Sequence, residues 1–167
     1  MFAATVVSVS AGESFFQASL TPEIAIHSRD TTIKGITLNI WGENPQTAFA
    51  WGLVNGSTGD SGGLSMSFLN YAENYKGVHW GLVNSSSGMF TGWQNGFLNL
   101  ANEFSGVQSG SVNIAKKVKG VQFGVVNYTE ELNGIQIGFA SIVKSNPWFT
   151  EFPNKLAKGM VFVNWSF

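Results

Sequence analysis

The chain repeats itself. A unit of Gly, apolar, polar, apolar, Gly, apolar, apolar and Asn, followed by about six further residues, opens at Gly77 (GVHWGLVN), Gly92 (GWQNGFLN), Gly106 (GVQSGSVN), Gly120 (GVQFGVVN) and Gly134 (GIQIGFAS). Gly63 (GLSMSFLN) and Ala48 (AFAWGLVN) open weaker copies, and Gly35 (GITLNIWG) and Gly159 (GMVFVNWS) open degenerate ones at the ends. Successive starts from Ala48 to Gly134 lie 14 residues apart, or 15 after Ala48 and after Gly77. A fixed short period constrains the fold more than any local signal. It admits a stack of coils, one per repeat, or a row of antiparallel strands, one per repeat.

Within a copy the apolar residues alternate, which is the period of a strand. After Gly120, one face receives Val121, Phe123 and Val125, and the other receives Gln122, Gly124, Val126 and Tyr128. A further apolar residue stands shortly before each new Gly: Tyr75, Phe90, Phe104, Val118 and Leu132. Counted from there, a strand runs about 10–11 residues, the length of a tilted membrane strand. Glu73, Lys76, Glu103, Lys116, Lys117, Lys119, Glu130 and Glu131 all fall in or beside the intervening turns.

The expected class is therefore all-β: an antiparallel up-and-down meander or barrel of about ten strands from Ser14 onward, with a parallel β-solenoid as the alternative. The first strands are expected at about 14–27, interrupted by Pro22, and at 32–42. If strands alternate in direction, the turns sort onto two ends. One end then collects Arg29, Lys34, Lys116, Lys117, Lys119, Lys144, Lys155 and Lys158 against Asp30, Asp60 and Glu151, and the other collects Glu43, Glu73, Glu103, Glu130 and Glu131 against Lys76. That alternation favours the meander.

Composition fits a membrane β-barrel or a β-solenoid better than an ordinary enzyme. Charged residues make up 11% of the chain, against a usual share of about 25%. Aromatics reach 14%, with 20 Gly, no Cys and a net charge of −1. Disulfides, thiolate metal sites and a Cys nucleophile are excluded, and no global charge invites nucleic acid. No apolar run approaches the ~18 residues of a membrane helix, so any crossing of a bilayer would be made by strands. Residues 1–11 read as a first β segment or as the remnant of a signal sequence. The whole of 1–167 reads as one domain, with repeats over about 35–143 and a closing strand over about 158–167.

Few constellations carry chemistry. Residues 59–63 read GDSGG, like the nucleophile loop of trypsin-like proteases. That mechanism needs a His base and an Asp to orient it. Only His27 and His79 exist, and neither stands in a matching motif. The stretch is better read as a Gly-rich turn. Two isolated His residues do not make a metal site. Asn55, Asn84, Asn127 and Asn164 match Asn-x-Ser/Thr, as by-products of the repeating Asn. No catalytic residue, metal site or cofactor is expected.

The faces are more informative. Trp51, Trp80, Phe123, Ile137 and Phe139 are expected to face lipid, with Trp148 and Trp165 near strand ends where interfacial aromatics belong. The same face turns polar at Asn95, Ser109 and Ser111, which are expected to meet a neighbouring subunit or the protein interior. The other face is too apolar for a wide aqueous channel. Lys116, Lys117, Lys119, Lys144, Lys155 and Lys158 are candidates for contact with lipid or lipopolysaccharide phosphate.

GVQFGVVN and GIQIGF resemble a bacterial surface-repeat family with GLQIGLVN-like units, over about residues 35–143. The alternation Gly159, Val161, Val163, Trp165, Phe167 resembles the last strand of outer-membrane barrels, which implies recognition by the barrel assembly machinery at Val163, Trp165 and Phe167. A weaker likeness is to porin-like proteins that trap lipid. Together these imply a non-enzymatic, oligomeric protein of the bacterial outer membrane with a structural or lipid-organising role. A small passive channel and a surface-displayed solenoid scaffold or adhesin are the alternatives.

Overall fold

The computed structural model describes residues 12–167; the expectation for residues 1–11 lies outside them. β1 (Glu13–Thr21), β2 (Ile24–Ala25), β3 (Thr32–Asn44), β4 (Thr47–Val143) and β5 (Gly159–Ser166) form one sheet in the order β2-β1-β3-β4-β5. The all-β expectation holds. Pro22 falls between β1 and β2, where it withholds no sheet hydrogen bond.

β4 is 97 residues long because it is extended chain wound through successive coils. β1 pairs with β3 in parallel, and β3 pairs with the first turn of β4 in parallel. Ile36 lies beside Phe49 and Asn44 beside Ser57, the same offset at both ends of the strand. Farther on, side chains bond across a constant step, Asn99 to Asn113 and Gln108 to Gln122, each 14 residues apart. In an antiparallel pair the offset changes by two for every residue travelled, so a constant offset requires parallel stacking. Each repeat is one coil of a β-solenoid. Of the two arrangements open to the period, the stack of coils is the one adopted, and the sheet does not close into a barrel.

This corrects the sorting of turns onto two ends. Every coil makes a full circuit, so equivalent turns line one edge. Lys117 Nζ lies 3.8 Å from Glu103, and Lys144 Nζ lies 3.7 Å from Glu130. The two-ended sorting had placed those partners at opposite ends of the sheet. Antiparallel pairing is found where the stack stops. β2 folds back on β1, and β5 covers the last coil with Ile135 beside Trp165 and Ile137 beside Val163.

Numbering each repeat from its first Gly, positions 3, 8, 10 and 13 point inward, as with Gln122, Asn127, Thr129 and Leu132, all buried. Position 13, or 14 in the 15-residue coil of Gly77, is the apolar residue two before the next Gly. Its rings stack, Tyr75 on Phe90 and Phe90 on Phe104, each with centroids 5.6 Å apart. Val118 and Leu132 continue this column. Position 1 bends the chain into the next strand with φ between 134° and 150° from Gly77 to Gly134, a conformation open to Gly and strained for other residues.

Candidate functional site

Beside the apolar column of Tyr75, Phe90 and Phe104 the coil interior is polar, while the strands outside it turn apolar side chains outward, the reverse of an ordinary sheet. Asn at position 8 makes this possible. Asn113 Nδ2 donates to Asn127 Oδ1 at 2.8 Å and to the Phe123 carbonyl at 3.0 Å. The same two bonds recur from Asn84 and from Asn99. A Gln column runs beside it, each Nε2 donating to the preceding Oε1 at 2.7–2.8 Å from Gln94 to Gln136. Buried amides are tolerated because they bond to one another along the axis. The strands between them are then free to turn their apolar side chains outward.

Positions 2, 4 and 6 form that outward wall. Trp51, Trp80, Phe123, Ile137 and Phe139, expected from sequence to face lipid, all stand on it, between 38% and 68% exposed. Across residues 48–143, no Asp, Glu, Lys or Arg occupies positions 1–10 of any coil. The charges follow position 10, on the opposite edge. The apolar surface also rounds the corner beyond the wall, through Trp41 at position 7 and Ile114 and Ile142 at position 9.

Asn95, Ser109 and Ser111 come together as a polar island within this wall. Trp93 Nε1 donates to Ser109 Oγ at 2.7 Å, and Ser109 Oγ donates to Asn95 Oδ1 at 2.9 Å. The island therefore meets part of its own hydrogen-bonding needs. Trp93 also lies 6.5 Å from Trp80, ring to ring.

The lysines do not form a basic patch. Lys116, Lys117, Lys119 and Lys144 line the charged edge, interleaved with Glu103, Glu130 and Glu131. Lys117 and Lys144 face carboxylates, and Lys155 Nζ lies 2.8 Å from Glu151. Lys158 stands apart, just before β5. The expected assembly residues belong to the cap. Trp165 Nε1 donates to the Pro153 carbonyl at 2.8 Å, and the buried Asn164 donates to the Ala157 carbonyl at 2.8 Å. Val163 and Phe167 remain exposed.

The GDSGG segment is structural. Ser61 Oγ donates to the Thr58 carbonyl at 2.8 Å and accepts from Gln46 N at 3.0 Å. His27 instead pairs with Ser14, 2.9 Å away. Among the described residues, no group of three or more His, Asp or Glu gathers as a metal site would require.

His79 occupies the Gln column, buried, with ring centroids 4.1 Å from Tyr75 and 4.9 Å from Phe90. Neither ring nitrogen has a protein hydrogen-bond partner. Burial pushes its pKa down to about 3, so the ring is neutral near neutral pH.

One cluster escaped the sequence reading. Trp41 Nε1 donates to Tyr71 Oη at 3.0 Å, Tyr71 donates to Glu43 at 2.5 Å, and Arg29 pairs with Glu43. Burial, then the bond to Glu43, pushes the Tyr71 pKa up to about 12. Its members lie two coils apart, so aligning positions 7 and 9 of the repeat is the signal that could have found it.

No protein-family model, curated protein or solved structure matches the chain.

Proposed function

We propose that this chain is a non-enzymatic structural scaffold of the bacterial outer membrane, working through its uncharged wall against lipid and against copies of itself. The wall carries this reading. Eight strands about 4.8 Å apart, each showing about five residues at ~3.3 Å, make roughly 650 Å² of flat apolar surface. That is at or beyond the largest exposed patch of a typical soluble monomer, about 300–600 Å². Lipid is favoured as one occupant because the apolar surface continues round the corner at Trp41, Ile114 and Ile142. A fluid phase can follow that bend, with the charged edge left in water, as an amphipathic element lies in a membrane interface.

The location rests on the likeness of the repeats to a bacterial surface-repeat family and of residues 159–167 to the last strand of outer-membrane barrels. Lipid contact is assigned to the wall ahead of the lysines, since Lys117, Lys144 and Lys155 each face a carboxylate. A passive channel through a single chain gains no support, because side chains fill the coil interior. The solenoid scaffold or adhesin reading gains from the fold and merges with the present one.

Cell fractionation and vesicle flotation test the proposal. The protein is expected in the outer-membrane fraction, and purified chain is expected to float with phospholipid vesicles. A monomer that stays soluble without detergent and does not float would defeat it.

A further inference from the structure

Resting on the reading of the wall as a contact surface, we infer that its flat part is covered by a second copy of the chain. The two-fold axis runs along the strands, between the coil of Asn95 and the coil of Ser109, leaving the apolar corner for lipid.

The position of the polar island is the first argument. Counting wall strands from Phe49 to β5, four lie before the axis (at Phe49, Leu64, Val78 and Trp93) and four after it (at Val107, Val121, Ile135 and in β5). The wall continues beyond Phe49 through the exposed Ile36, Leu38 and Ile40 of β3 and Phe16 and Leu20 of β1, so an axis at the island pairs these eight strands and leaves β1 and β3 outside the paired area. In a two-fold interface the groups nearest the axis meet their own counterparts. Asn95 then faces Ser109 of the second copy, so polar groups oppose polar groups and none is pressed into an apolar surface.

Side-chain volume is the second argument. The strand just before the axis is bulky and the strand just after it is lean. Beside the axis this sets Phe97 against Ser111 of the second copy and Trp93 against Val107 of the second copy, whereas farther out it sets Trp80 against Phe123 and Phe68 against Phe139, so the match of large to small is confined to the two central strands. Facing layers interdigitate when large residues oppose small ones. An axis along the solenoid would instead set Trp93 against Phe97 of the second copy, large against large. Area is the third argument. Two faces of roughly 650 Å² bury about 1,300 Å² in total, above the ~1,000 Å² that a specific interface needs. Sheets so joined pack about 10 Å apart with nearly aligned strands.

Sedimentation of the purified full chain, in mild detergent and without it, tests the pairing. The wild type is expected to be a dimer at micromolar concentration. Ser111→Phe sets Phe against Phe97 of the second copy and is expected to weaken the dimer ~10- to 100-fold. Adding Phe97→Ser to that variant exchanges the two residues and is expected to restore it. Both positions face outward, so thermal unfolding serves as the control for folding. A monomeric wild type, or a double variant no better than Ser111→Phe, overturns the inference. Vesicle flotation separates the two readings. If Ser111→Phe abolishes both dimer and flotation, the flat face belongs to lipid, and the second copy is rejected while the membrane scaffold stands. Loss of dimer with flotation intact supports both.

Discussion

Asn113 and Asn127 stand one coil apart, with Nδ2 of the first donating to Oδ1 of the second at 2.8 Å, and Asn99 donates to Asn113 in the same way. Each such amide is both acceptor and donor in a chain closed to water. Asn113→Ala therefore strands the Asn99 donor, the Asn127 acceptor and the Phe123 carbonyl. At ~1–3 kcal/mol for each group left unsatisfied and partly relieved by relaxation, a loss of about 2–4 kcal/mol is expected. Asn133, exposed on the charged edge, is the comparison, with a change within ~0.5 kcal/mol on replacement by Ala. Urea unfolding of the two variants checks this; equal losses would show that the ladder contributes nothing special.

The Gly at position 5 is the complement of that Asn. A Cβ on Gly124 would lie 2.6 Å from Asn113 Nδ2 and 2.3 Å from the Gly110 carbonyl oxygen. Neither backbone nor a doubly bonded amide yields readily. Gly124→Ala is expected to cost about 3 kcal/mol or more, at the upper end of overpacking. Gly159→Ala, where the nearest atom is 3.9 Å away, should change stability little. Thermal melts of the pair decide it, and a tolerated Gly124→Ala would mean that the coils separate more easily than their contacts imply.

His79 stands at the head of a column that Gln94, Gln108, Gln122 and Gln136 fill, and Gln94 Nε2 has no protein partner. His79→Gln supplies the missing acceptor and is expected to stabilise by ~1 kcal/mol. The pH dependence has a definite sign. The folded-state pKa of about 3 lies below the ordinary 6.5. Below pH 6.5 the unfolded chain takes up a proton that the folded chain refuses, so stability is full above that pH and falls progressively toward pH 3. Between pH 7 and pH 5 the loss is about 2 kcal/mol. His79→Gln should lack this component, as denaturant titrations at the two pH values would reveal. Identical pH profiles would indicate that the ring is hydrated in solution.

The period, the alternation and the outward wall were legible in the sequence because each is local or repeats at a fixed step. Trp51, Trp80 and Phe123 could be assigned to one face by counting in twos. Whether successive strands run parallel could not be read in the same way. Alternation along one strand is identical in both arrangements, and only pairing between distant residues distinguishes them. The recurring Asn held that information. An Asn at every repeat matters little in an antiparallel row, where neighbours meet at changing offsets, but forms a continuous ladder when coils stack in register. Weighing the turns misled because charges of both signs share one edge, and sorting them by alternate repeats created a segregation that Lys117 beside Glu103 does not respect. β5 was legible as a strand. Its work as a lid was not, because Asn164 and Trp165 bind residues of the preceding loop.

The wall offers the most direct test of function. Phe123 lies 57% exposed, on a coil adjoining that of Ser109. Because it points outward, Phe123→Glu removes no buried contact and should leave unfolding unchanged within ~0.5 kcal/mol. On a lipid or protein partner the same change sets a charge against an apolar surface, at a cost of several kcal/mol. Flotation or self-association should therefore fall by about a hundredfold while the melting temperature holds. Lys119→Glu, on the opposite edge, changes charge by twice as much and should alter neither. If the two variants behave alike, contact is governed by net charge and the wall is not the working surface. If Phe123→Glu alone loses association, the uncharged face of the solenoid is where this protein meets its surroundings.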